Sequence, residues 1–480
     1  MRTWLALAIA LGCVAPTVAA AEEAPGSAAP SAAQPLGLED VLAAVVDRHP
    51  LLKAAAQEEA IAAADVLSAD GGFDPSLRAR AVAVPYGPYP NERIDVMVEQ
   101  PTALWGSRFF GGWRYGRGSF AVYDGKLETG TGGEGRIGAA VPLWRDGPID
   151  RRRAATQKAE LGTGAAKASV EQQRLDAVRA ASHRYWDWVA AGRRLQVSRD
   201  MLAIAVARDA GLAVRVERGD IPAFERAENE RVIHQRRAAV AQAERSFQNA
   251  QIELALFYRG ADGTPLTVPE GRVPARFPEP GGAPGDGAAA ERLALAQRPE
   301  LRRYEAARAQ AQVDRDLANN QRKLGVELSG ALTKDFGRFG EDDKRLKPEV
   351  EVAVLVDVPI LTRVQDGRVR AAEAAMVRAS EQTRYAKDRI VADVRDASSA
   401  LSMARERLAA VRREVAASQG LVEAEKQRFD LGEGTLLLVN LREAALAEAY
   451  GREIDVLADY HKALANQRAA TGVPVRAGAG

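Results

Sequence analysis

Cysteine is almost missing from this chain. The one residue of that type, Cys13, lies near the start of 480 residues. The rest of the chain therefore has neither disulfides nor thiol chemistry, whatever compartment it works in. Histidine is scarce as well. His49, His183, His234 and His461 are scattered, and no two stand at metal-ligand spacing. Charge of one sign is not in excess, with 66 Lys and Arg against 65 Asp and Glu. A nucleic-acid footprint needs a basic excess or a basic patch interleaved with aromatics, and neither is present. Past the N-terminus there is no run of 18 apolar residues, so no membrane-spanning helix is expected. Gly-rich pieces such as GTGGEGRIG (130–138) lack the Lys-Ser/Thr of a phosphate loop, and no nucleophile elbow appears. Carboxylates are plentiful, but on charged helices they serve as i,i+4 partners. The expectation is a protein without catalysis, cofactor or resident metal.

What is present begins with a secretory signal. Arg2 supplies the positive end, Leu5 to Leu11 the apolar segment and Ala19-Ala20-Ala21 the small-residue cleavage site, so residues 1–21 are expected to be removed. Gly12-Cys13 is the alternative, a lipid attachment site. Residues 22–35 read as a flexible tail of the mature chain, and 473–480 as a fraying C-terminus. An exported chain with no spanning helix can cross a membrane only as a closed β-barrel, because lipid offers no water to unpaired strand backbones.

The chain repeats itself. RHPLLKAAAQEEAIAAADVLSA (48–69) matches QRPELRRYEAARAQAQVDRDLA (297–318) in pattern. AAVPLWRDGPIDRRRAATQKAE (139–160) matches VDVPILTRVQDGRVRAAEAAMV (356–377), and VRVERGDIPAFERAENERVIHQ (214–235) matches EKQRFDLGEGTLLLVNLREAAL (425–446). The order is the same in both halves, which predicts a tandem duplication. One repeat spans 36–258 and the other 291–472, each with a helix, a strand pair and two long helices. The Pro- and Gly-rich stretch 259–290 joins them as a linker.

Four segments alternate with period two: 76–84, 134–144, 324–333 and 349–358. Val350, Val352, Val354 and Val356 share a face opposite Glu349, Glu351 and Asp357, and Ile137, Ala139 and Val141 share a face opposite Arg136. Each segment has the roughly ten-residue length of a tilted barrel strand, with these apolar residues as its lipid-facing candidates. A soluble sandwich with one solvated face would alternate in the same way. The loop 86–123 is rich in aromatics, either a girdle at a lipid boundary or a self-packed surface loop. Within it, 93–101 also alternates. Four strands are too few to close a barrel, so strands must be borrowed from identical neighbours, and a trimer would give twelve.

From about 365 to 431 the sequence consists of helix formers without proline, interrupted only by Gly420, and 150–217 is its counterpart. A helix of that length is on the order of 100 Å long, more than a compact domain can hold. Return helices are expected over roughly 221–258 and 435–471. Ala371, Ala372, Ala374, Ala375, Ala379, Ala404, Ala409 and Ala410 suggest an apolar stripe of small residues, suited to a broad tube of many helices.

With these features in place, the sequence resembles the TolC-type family of outer-membrane efflux proteins. The resemblance is carried by LGLEDVLAAVVDRHPLLKAA (36–55), VPLWRDGPIDRRRAA (141–155), VEAEKQRFDLGEGTLLLVNLREAALAEA (422–449) and ALANQRAATG (463–472). It implies a mainly α protein with transmembrane β structure: a homotrimer whose chains give four strands each to an outer-membrane barrel, continued into the periplasm by a long α-helical coiled-coil barrel. Such proteins are exit ducts of efflux or type I secretion systems, working with a periplasmic adaptor and an inner-membrane pump. The turns between the long helices would form the periplasmic tip. Its candidate residues are Gly219, Asp220, Glu225, Gly432, Glu433, Asn440, Arg442 and Glu443. Many members place acidic residues six and nine positions after the turn glycine of the second repeat. Counted from Gly432 these are Leu438 and Leu441, which puts a second-repeat acidic ring in doubt. The alternative is a soluble periplasmic coiled-coil scaffold or adaptor. The sequence does not specify a cargo.

Overall fold

The computed structural model describes residues 34–124, 127–281, 286–338 and 347–473. The expected signal sequence, Cys13, residues 22–33 of the expected tail and residues 474–480 lie outside these. Two series of helices run through the molecule. The first comprises α1 (Leu38–Arg48), α2 (Pro50–Asp70), α3 (Arg151–Glu217) and α4 (Ala223–Ala255). The second comprises α5 (Gly287–Gln297), α6 (Pro299–Gln321), α7 (Arg363–Asp430) and α8 (Leu436–Ala470). The series match member by member, at 11, 21, 67 and 33 residues against 11, 23, 68 and 35. The last residues of the expected linker, from Gly287, already belong to α5.

Local sequence sets the breaks. His49 and Arg298 precede prolines and are extended, with ψ of 124° and 123°. A residue before proline is driven out of the helical region, and the proline then starts the next helix at its first position, where it has no hydrogen bond to lose. The Asp150 carboxylate accepts from the Arg153 N–H at 2.8 Å and caps α3. Gly420 does not break α7.

The long helices α3 and α7 run the full length of the helical wall, and the shorter ones fill in beside them. Near the strands, α2 packs on α3, α3 on α6, and α6 on α7. Farther away, α4 packs on α3, α3 on α8, and α8 on α7. Both levels are therefore four helices wide. The buried stripe of α7 runs Ile390, Val394, Ala397, Leu401, Ala404 and Leu408, at the three- and four-residue spacing of a coiled coil. Ala372, Ala379 and Ala404 of the expected small-residue stripe lie on this buried face, but Ala371, Ala374, Ala409 and Ala410 do not. At about 100° per residue those four positions fall off the seam.

Six strands form one antiparallel sheet in chain order: β1 (Ser76–Val84), β2 (Asn91–Pro101), β3 (Arg108–Gly118), β4 (Gly133–Pro142), β5 (Gly325–Phe336) and β6 (Glu349–Asp357). All four expected strands are present. The stretch expected as a long aromatic loop instead holds a further hairpin, β2–β3, so the sheet has six strands among the described residues where four were expected. The hairpin's second strand, RFFGGWRYGRG, hid because glycine is a poor strand former when read alone. In the sheet two of its glycines lie tight against neighbouring backbone: a side chain would collide with the Val96 carbonyl at Gly112 and with the Leu127 carbonyl at Gly116.

Midway along α3 the linker packs against helices of both series and ties the repeats together. Trp186 of α3 stacks on His461 of α8 at 4.1 Å between ring centroids, and Phe277 of the linker stacks on Trp186 at 5.8 Å. Asp187–Lys462 and Arg194–Asp455 ion pairs extend the same α3–α8 seam. Burial lowers the His461 pKa to about 4 and nearby Arg468 adds to this, while a hydrogen bond to the Pro278 carbonyl opposes it. A base whose pKa is lowered on folding contributes its stability above the unfolded value of 6.5, and that contribution is lost as pH falls toward 4. Thermal melts should therefore lose ~3 kcal/mol of stability across this window from His461 alone. His461→Phe should flatten the loss, and an equal slope in wild type and variant would show that the stack does not carry it.

Candidate functional site

The sheet has two unlike faces, fixed by its register. Leu77 of β1 pairs with Val98 of β2, Val98 with Gly111 of β3, Gly111 with Ile137 of β4, Ile137 with Leu332 of β5, and Leu332 with Val350 of β6. The next row on that face runs Phe109, Ala139, Gly330, Val352, and beyond it come Val141, Leu328 and Val354, then Val326 and Val356. Expected residues Val350, Val352, Val354, Val356, Ile137, Ala139 and Val141 thus fall on one face. That face is bare: Val352 is 69% exposed and Ile137 61%. Aromatics bound it at both ends. Trp113, stacked on Phe336 at 5.0 Å, stands at the end away from the helices, and Trp105 and Trp144 are exposed at the helix end.

The opposite face is ionic. Arg108 reaches across β4 to Glu327 at 2.6 Å, Arg114 pairs with Asp95 at 3.2 Å, and Arg78 and Arg108 flank Glu99 at 3.9 and 4.0 Å. Among the described residues, no helix packs broadly on either face. A soluble sandwich would cover its apolar face with a second layer. Here that face is left open among the described residues.

At the far end of the helices the two turns are built alike. Gly219 and Gly432 have φ of +79° and +78°. The Asp220 N–H donates to the Arg215 carbonyl and the Glu433 N–H to the Arg428 carbonyl, each at 2.9 Å, closing the same C-terminal motif on α3 and α7. No atom would obstruct a side chain at either glycine, so the requirement is the positive φ itself. Asp220 and Glu433 remain exposed, while Glu225 and Arg442 are half-buried.

Asn440 and Glu443, one turn apart on α8, behave differently. Both are buried, Glu443 to 1% exposure. Arg208 of α3 donates to the Asn440 Oδ1 at 2.8 Å and to Glu443, Arg236 of α4 donates to Glu443 at 2.8 Å, and Lys426 of α7 lies 3.7 Å away. A single carboxylate thus gathers cations from the other three tip helices. Burial pulls the Arg208 pKa below its ordinary value, Glu443 opposes the shift, and Arg236 reinforces it. Sequence reading picked out Asn440 and Glu443 but missed Arg208, Arg236 and Lys426. The two arginines stand 235 and 207 residues from Glu443, and nothing local marks them. The tip candidates therefore do not form one cluster. Two are turn glycines, two are buried in an ionic knot, and the rest lie outside it. Beside the knot, α3, α4 and α8 line an open cavity of about 700 Å³ that includes Val197, Met201, Val232, Leu437 and Leu441.

In each half, the one-layer sheet with its bare apolar face feeds a helix roughly 100 Å long. Residues 291–473, the second repeat, match the family model for outer membrane efflux proteins. The fold is that of solved outer-membrane channels. The Neisseria gonorrhoeae MtrE channel in its open state has a TM-score of 0.64 at 18% identity, over 92% of this chain and 89% of that one. The Vibrio cholerae outer membrane protein VceC gives 0.65 at 15%, over 91% and 96%. The Campylobacter jejuni CmeC outer membrane channel gives 0.64 at 14%, over 91% and 85%. No curated protein matches the chain by sequence. The resemblance to TolC-type outer-membrane efflux proteins is borne out, for the second repeat by sequence and for nine-tenths of the chain by fold.

Glu443→Gln would leave two half-buried guanidiniums facing each other without their counter-charge. Breaking such a pair costs ~3–5 kcal/mol. The variant should lower the thermal midpoint of the purified particle and open the tip turns to protease, with Glu443→Asp retaining part of the effect. A variant matching wild type in both readouts would show that the knot contributes nothing.

Proposed function

We propose that the chain is the outer-membrane exit duct of a tripartite efflux or type I secretion system, assembled as a homotrimer. The observation that carries this reading is the uncovered apolar face shared by all six strands. Contiguous apolar surface on this scale marks contact with lipid or another protein. The aromatics at its two ends fit the girdles of a membrane barrel. Val350, Val352, Val354, Val356, Ile137, Ala139 and Val141 then meet lipid, and the ionic face lines the lumen. The helices continue the wall into the periplasm as two fused structural repeats, 36–258 and 291–472.

The turns at Gly219 and Gly432 form the periplasmic tip, with Asp220, Glu225, Glu433 and Arg442 as its exposed or half-exposed charges. Asn440 and Glu443 hold the four tip helices in one arrangement from within. A periplasmic adaptor docks at this end and hands on cargo from an inner-membrane pump. A soluble periplasmic scaffold is the competing reading, and it offers no cover for the valines of β6.

Mass measurement of the detergent-extracted particle from the outer-membrane fraction tests the proposal. A trimer of the mature chain is expected there, and a water-soluble monomer or dimer in the periplasm would sink it. Val352→Lys with Val354→Lys adds ~2–4 kcal/mol per charge near the middle of a bilayer. That pair should abolish membrane assembly, whereas a scaffold would tolerate it.

A further inference from the structure

We infer that the assembled barrel has eighteen strands, six from each of three copies, and that the β2–β3 hairpin widens the strand wall to match the helical wall below it. The inference rests on the trimeric duct proposed above and concerns how its membrane segment closes.

Four of the six strands are continuations of helices. α2 leads into β1 and α6 into β5, while β4 leads into α3 and β6 into α7. The β2–β3 hairpin continues no helix. It is inserted between β1 and β4, and it is paired on both sides: β1 to β2 over nine residue pairs, β2 to β3 over eleven and β3 to β4 over seven. Over residues 93–99 its first strand continues the two-faced pattern, with Ile94, Val96 and Val98 on the apolar side and Arg93, Asp95 and Glu99 on the other, Met97 being the exception. A hairpin folded into the lumen as a plug, or lying outside the wall, would have no reason to keep that alternation in register with its neighbours.

Its turn is seated as a wall element too. Thr102 and Ser107 close it, with the Thr102 N–H donating to the Ser107 carbonyl at 2.8 Å. Gly106 then lies against the Asp146 carbonyl and the Arg153 guanidinium, where a side chain would collide. Arg153 also donates to the Asp150 carboxylate that caps α3, so the hairpin rests on the strand-to-helix joint. The free edges of the sheet are β1 and β6. In lipid neither can stay unpaired, and the occupant that extends both faces unchanged is a second copy of this chain.

Six strands are wide enough to continue the helical wall at its full width. Strands about 4.8 Å apart, tilted by about 40°, each take up about 6.3 Å of circumference. Six then span about 38 Å of arc and four span about 25 Å. Four helices at 8–10 Å separation span roughly 32–40 Å. With the hairpin, the wall passes from helix to strand without narrowing. The eighteen-stranded cylinder is about 36 Å across between backbones, against about 24 Å for twelve strands.

The test is electron cryomicroscopy of the outer-membrane particle, with disulfide trapping in intact membranes. Eighteen strands on a circle near 36 Å are expected. Leu77→Cys with Val98→Cys, and Phe109→Cys with Ala139→Cys, should cross-link in high yield, because these residues are directly opposed in β1–β2 and β3–β4. Leu77→Cys combined with Cys at Ile137, Ala139 or Val141 should not cross-link. A trimer with twelve strands, or cross-linking from β1 directly to β4, would overturn the inference and leave the duct standing. A particle that is not a membrane trimer would instead overturn the reading beneath it.

Discussion

The hydrogen-bond ladder between β4 and β5 joins the two repeats within the sheet, and a slip of one residue there would turn every side chain of β5 and β6 to the opposite face. Val350 to Val356 would then stand among the charges, and Glu327 would lose Arg108. The ladder is thus what makes one face apolar and the other ionic across both halves of a duplicated chain. Everything outward from it, including the bare valines, the aromatic ends and the polar lining, follows from that single registration.

The helical wall obeys a related rule in another geometry. A coiled-coil stripe on α7 and its partners needs continuous three- and four-residue spacing, and α3 and α7 keep it by avoiding proline over 67 and 68 residues. Breaks are concentrated in the short helices, where prolines at positions 50 and 299 end one helix and begin the next. The tie between repeats is aromatic at mid-length, through Trp186, Phe277 and His461, and ionic at the tip, through Glu443. Different chemistry suits the two places. Stacked rings fill a wide junction that the linker enters, whereas a buried carboxylate fixes the relative positions of four narrow helix ends.

Much of this was legible in the residues. Proline-free helix formers marked α3 and α7 to within about two residues, the paired glycines marked both tip turns, and period-two alternation marked β1, β4, β5 and β6. The hairpin strand β3 was hidden because its glycines carry no strand signal until their cross-strand neighbours are known. The cations around Glu443 were hidden for a different reason: they come from three other helices, and no pattern in sequence brings α3, α4 and α7 to α8. The alternation of β6 alone also fits a solvated sheet, and only the absence of a covering layer among the described residues separates the two.

The near-equality of the two helical series has a bearing on how the molecule can change over time. The two helical series agree in length member by member, and each tip turn must end level with the other for Glu443 to reach Arg208 and Arg236. A heptad inserted into α7 alone would lift one turn by about 10 Å above its twin, pulling the knot apart. Length is therefore held in common by the two halves, each serving as a gauge for the other, and a longer or shorter tube is reached only by matched changes in α3, α4, α7 and α8 together.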